Sequence, residues 1–115
     1  MLNSQSQKDK MVRATPLFMV KKEAFEWIKT GQKTIELRKG KAKAGDQAIF
    51  QCGRNILRGI IISKDEGNLL ALLRNLNFKD IIPTANNVEE AAAYIKKLYG
   101  TTDGTFTAYR FALSR

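Results

Sequence analysis

The sequence predicts a small α+β domain, mainly β: a mostly antiparallel barrel of about five short strands with helices packed against it. Strand-like and helix-like segments follow one another in the order β-α-β-β-β-α-α-β. Turns rather than long crossovers join most of them, which favours antiparallel pairing. Five short strands buried on two sides suit a small, partly closed barrel with helices at its ends. A chain of 115 residues has room for one domain and one core. Residues 12–115 are assigned to that domain, and the polar, aperiodic residues 1–11 to a disordered tail.

Pro16 starts the first strand, TPLFMVKK (15–22), carried by Leu17, Phe18, Met19 and Val20. KEAFEWIKTG (22–31) switches to a helical period, with Ala24, Trp27 and Ile28 on one stripe, Phe25 beside it and Gly31 as the stop. KTIELRK (33–39) alternates with period 2. Ile35 and Leu37 share one face; Thr34, Glu36 and Arg38 share the other. A Gly45-Asp46 turn leads to a strand through Ala48, Ile49 and Phe50. NILRGIIIS (55–63) is a further strand, and its run Ile60-Ile61-Ile62 reads as buried on both faces.

Asn68 caps a short helix in which Leu69, Leu72, Leu73 and Leu76 recur at helical spacing. Pro83 breaks the loop that follows. Asn87 and Glu90 form a capping box for the last helix, whose apolar face runs from Val88 to Tyr99 and which Gly100 ends. TFTAYRFALS (105–114) is the closing strand, with Thr107, Tyr109, Phe111 and Leu113 on one face.

Composition limits the chemistry. The chain has no histidine and a single cysteine, Cys52. A Ser-His or Cys-His triad is excluded, and neither a zinc site nor an internal disulfide is expected. No metal or cofactor is expected, and any catalysis falls to Lys, carboxylates, Tyr, Thr and Ser. No apolar run approaches a membrane span and the N-terminus has no apolar leader segment, so a cytoplasmic, membrane-free monomer is expected. The net charge is +9, concentrated in residues 29–43, where Lys29, Lys33, Arg38, Lys39, Lys41 and Lys43 face the single acid Glu36. Such a block attracts polyanions; it also suits a plain solvated surface.

Within that block stands Gly31-x-Lys33-x-x-Glu36-x-Arg38, directly after the first helix. This motif resembles the signature of the ASCH domains, a branch of the PUA-like β-barrels. The Gly-Asp turn of AGDQAIF, the late helix ending in Tyr-Gly and the closing FTAYRFAL are also similar, so the resemblance covers residues 14–113, nearly the whole chain. It implies a cleft beside the barrel for RNA or a nucleotide-like small molecule. Gly31, Lys33, Glu36, Arg38, Lys39, Lys41 and Tyr109 are the ligand-binding candidates. Arg38 offers a planar fork suited to phosphate, and Tyr109 and Tyr99 offer hydroxyls for a rim. Lys33 and Glu36 have opposite parity, so they share a site when Lys33 belongs to the turn after Gly31.

Some ASCH-like proteins are amidohydrolases that deacylate N4-acetylcytidine with a Lys, a Thr and a Glu; others are described as ribonucleases. Here Lys33 matches that lysine, but Glu36 stands at the threonine's position, and Pro83, Thr84 and Ala85 stand where the glutamate is expected. A catalytic set would be Lys33, Glu36 and Thr84, with the two roles exchanged. The leading expectation is therefore a binder of RNA or a modified nucleotide. The alternatives are a histidine-free hydrolase and a module whose basic face meets an acidic partner. Trp27, Phe25 and Phe50 are assigned to the core.

Overall fold

A computed structural model describes residues 15–114, so the tail assigned to residues 1–11 lies outside the described residues. Five strands and three helices follow in the expected order: β1 (Leu17–Met19), α1 (Lys22–Thr30), β2 (Ile35–Lys39), β3 (Gln47–Cys52), β4 (Asn55–Asn68), α2 (Leu69–Asn75), α3 (Val88–Tyr99) and β5 (Thr105–Leu113). A single turn of 3₁₀ helix, Phe78–Asp80, bridges α2 and α3. Among the described residues no helix is long and apolar enough to cross a membrane.

The strands form one sheet in the order β1-β3-β4-β5-β2. Three of the pairings are antiparallel; β1 joins β3 in parallel. The sheet curls into a half-barrel and does not close through backbone pairing. Its two edges, β1 and β2, face one another across a seam, and a side chain bridges them: Arg38 Nη2 donates to the Met19 carbonyl at 2.7 Å.

Alternation divides the core in two. One cluster fills the inside of the curl with Phe18, Phe50, Ile61, Tyr109 and Phe111, closed by Ile28 of α1. The other lies on the opposite face of β2 and β5, where Ile35, Leu37, Phe106 and Ala108 meet the leucines of α2 and Ala91 and Ile95 of α3. Phe25, Trp27 and Phe50 are buried as expected.

Two expectations are corrected in β4. The strand runs five residues past Ser63, through Lys64–Asn68, because a bulge between Ile61 and Ser63 lets pairing with β5 continue. Ile60–Ile62 is buried on one face only. Ile61 points into the core, while Ile60 and Ile62 stand in the open. The caps of α3 hold: Asn87 Oδ1 accepts from the Glu90 amide at 2.8 Å, and Gly100 takes the left-handed conformation. The reciprocal Glu90 bond goes to the amide of Asn86 rather than Asn87.

Candidate functional site

The site begins at the end of α1. Gly31, at φ 84°, occupies the left-handed region where other residues are strained, and its amide donates to the Ile28 carbonyl. The chain then doubles back, with the Lys33 amide donating to the Trp27 carbonyl at 3.0 Å. β2 starts only at Ile35, so Lys33 belongs to the turn and escapes the strand's alternation. Its side chain reaches the same spot as Glu36.

There Lys33 Nζ donates to the carbonyls of Ile35 at 2.9 Å and Ile81 at 2.6 Å. It lies 3.5 Å from Glu36 Oε1. Arg38 Nε donates to the other carboxylate oxygen, Oε2, at 2.6 Å. The carboxylate is thus held between two cations, with Lys33 and Glu36 buried and Arg38 partly open. Burial pulls the Lys33 ammonium below the ordinary lysine range of 10.5, the Glu36 charge opposes that pull, and Arg38 adds slightly to it. The Arg38 guanidinium also lies over the Phe18 ring, 5.1 Å from its centroid.

These three side chains line a cleft of about 230 Å³ at the seam. Met19, Val20 and Lys21 supply the β1 side; Ala24 and Trp27 come from α1. Tyr94, Ile95, Leu98 and Tyr99 of α3 form the facing wall, with Ile82 and Leu37 completing it. The Tyr94 hydroxyl donates to Glu23 Oε2 at 2.9 Å, tying α3 to α1 at the cleft's flank. Desolvation and the Glu23 bond push this phenol up to about 12. Tyr99 donates to the Leu37 carbonyl at 3.2 Å, and its phenol is also raised, chiefly by burial. Charge at one end and aromatic walls suit a planar polar group entering edge-on.

The other candidates lie elsewhere. Tyr109 is buried inside the curl against Phe18, at 5.0 Å between centroids, and its hydroxyl accepts from the Lys43 amide. It does not line the cleft. Thr84 is exposed in the turn after Pro83, and it is Ile82 of that loop that reaches the cleft. Lys39 bonds the Asp103 carbonyl and Lys41 is exposed; neither lines the cleft. Gly31 shapes the turn and contributes no wall. Cys52 sits half-buried at the end of β3. Tyr94 and Glu23 went unpredicted, since only the packing of α3 against α1 brings them together. Among the described residues no three His, Cys, Asp or Glu converge as a metal site would need.

No protein-family model and no curated protein matches the sequence. Solved structures do match in three dimensions. The hypothetical protein PH0355 superposes with a TM-score of 0.73 at 15% identity, over 88% of this chain and 100% of its own. The ASCH protein of Zymomonas mobilis gives 0.63 at 16% identity, over 87% of this chain and 68% of its own. Protein PF0455 of Pyrococcus furiosus gives 0.63 at 16% identity, over 87% and 97%. Such identities speak for the backbone alone, and by its backbone this chain has the ASCH-type fold.

Proposed function

We propose that the chain binds a nucleotide-like group, free or within RNA, in the seam cleft. One observation carries this reading: Lys33, Glu36 and Arg38 are joined to one another in a cleft that Trp27, Tyr94 and Tyr99 also line. Arg38 keeps donors beyond those given to Glu36 and Met19, and it is the most open of the three. It meets the phosphate or a base edge. Glu36 holds Arg38 in plane and accepts from a base amine. The aromatic wall takes the flat face of the base. At about 230 Å³ the cleft is smaller than the roughly 300–1,000 Å³ of drug-sized pockets. It suits one base or nucleoside, with any remaining strand outside.

A thermal-shift and calorimetric panel of nucleosides, nucleotides and short RNAs tests the reading. Glu36→Gln should weaken a ligand found this way by about 1–2 kcal/mol, the scale of a charge-assisted hydrogen bond. A panel without a single stabilising compound counts against it.

The lowered proton affinity of Lys33, next to a carboxylate, favours a second reading as an amidohydrolase of an acylated nucleoside. In that case Glu36→Gln should cut turnover by about a hundredfold or more while the fold survives. N4-acetylcytidine deacylation by the wild type, abolished by both Lys33→Ala and Glu36→Gln, would replace the binding role with catalysis.

A further inference from the structure

One face of the sheet is covered unevenly. Toward β2 and the first half of β5, α2 and α3 bury it. Among the described residues nothing covers the half made by β1, β3 and the start of β4. There Leu17 shares a register row with Arg58 through β3, and Met19 shares the next with Ile56. Ile60 continues the same face along β4, and Ile62 stands exposed beyond it in the bulge. The exposure of these apolar side chains runs from 45% at Leu17 to 62% at Ile62. They hold five of the seven exposed large apolar side chains among the described residues, so this is a patch rather than scatter.

We propose that this bare half-face docks an acidic amphipathic helix from a partner protein. Its apolar stripe would lie across Leu17, Met19, Ile56 and Ile60, and its carboxylates would meet Arg58. The form of the partner follows from the other half of the same face, which already takes two helices on its apolar side chains. Its charge follows from Arg58, which makes no ion pair among the described residues and stands in the middle of the patch. The hairpin turn beside it adds Arg54, and Lys21 and Lys22 follow the end of β1; Asp46, at the far end, is the adjoining acid. A second copy is a poor occupant, because two-fold pairing would set Arg58 against Arg58 on chains of net charge +9. The chain's own residues 1–14 carry Lys8, Lys10 and Arg13 against Asp9 and offer the wrong sign. Nor does the patch present an aromatic side chain for a base to stack on.

A pair of fluorescein-labelled designed helical peptides tests this on the full chain. Both carry a leucine stripe; one has glutamates on its flanks and the other lysines. Fluorescence anisotropy should show the glutamate peptide binding in the micromolar range and the lysine peptide about tenfold weaker or worse. Ile60→Ser should weaken the glutamate peptide about tenfold with the melting temperature unchanged, since Ile60 is exposed. Arg58→Glu should invert the preference between peptides, a result that mere unfolding does not give. Glu36→Gln should leave peptide binding alone, because Met19 and Lys21 at the margin are the residues this face shares with the cleft and Glu36 is not among its contacts. Failure of both peptides to bind, or binding indifferent to Ile60 and Arg58, overturns the proposal. So does a dimer that Ile60→Ser dissociates, or peptide binding that appears only once residues 1–14 are removed. Displacement of the peptide by short RNA that persists in Glu36→Gln would assign the face to nucleic acid instead.

Discussion

Lys33 has three oxygen neighbours, two carbonyls and one carboxylate, and is almost wholly buried at the wall of the cleft. Replacing it with methionine keeps the stem but leaves the Ile35 and Ile81 carbonyls without this donor. The cost should be about 2–4 kcal/mol in urea unfolding at neutral pH. The pH dependence then separates burial from pairing. Because burial dominates, folded Lys33 releases its proton below 10.5, whereas the unfolded chain holds it up to that value. The unfolded state binds more protons in that window, so stability rises with pH there. The two raised phenols oppose this trend but are present in both proteins. The difference between wild type and Lys33→Met should therefore grow toward pH 10.5; a difference that shrinks would mean pairing with Glu36 outweighs burial. The convergence of Lys33, Glu36 and Arg38 was legible from the glycine that precedes them. The burial of Tyr109 was not, because alternation assigns a side chain to a face and leaves open which face curls inward.

At the level of elements, two strands touch where a side chain would not fit. A Cβ on Gly59 would stand 2.8 Å from the Ala112 carbonyl oxygen, a backbone atom of the neighbouring strand. Gly59→Ala should push β4 from β5 and cost about 1–3 kcal/mol; an unchanged denaturation midpoint would mean that the two strands part freely there. The helices were readable because caps and periodicity act locally. The end of β4 was not: Lys64–Asn68 has the polarity of a loop and contains Gly67, yet the bulge before it restores pairing with β5. Ile60–Ile62 misled for a related reason. A run of three isoleucines carries no alternation, so its exposed face cannot be told from a buried one.

Across the whole molecule, the seam of the half-barrel is bridged by a side chain. Arg38 crosses the seam to the Met19 carbonyl while also holding Glu36. Arg38→Gln should open β1 locally, and its amides should exchange about tenfold faster, as expected for the loss of one hydrogen bond of about 1–1.5 kcal/mol. If exchange in β1 is unaltered, its parallel pairing with β3 suffices. The sequence foretold a mostly antiparallel, curled sheet and the order of elements along the chain, but not the order of strands within the sheet; the seam depends on where two edges meet, which no local pattern encodes.

The distribution of charge sets the last expectation. The basic block of residues 29–43 does not converge on the cleft. Lys33 and Arg38 line it, whereas Lys39, Lys41 and Lys43 are exposed outside its lining. If one base of an RNA strand occupies the cleft, the phosphates flanking it extend beyond the lining toward those lysines; a single nucleotide has no such flank. Binding of single-stranded RNA should then fall with salt at a log–log slope near −0.7 per phosphate neutralised. Replacing Lys39, Lys41 and Lys43 by Gln should flatten that slope for every sequence alike while leaving the affinity of a single nucleotide within about twofold, because counterion release belongs to the strand alone. Glu36→Gln should do the reverse, weakening strand and nucleotide together with the slope unchanged. Titrations of both ligands at several salt concentrations check this. If the lysine replacements weaken strand and nucleotide equally, the basic block and the cleft act as one surface, and the division between them fails.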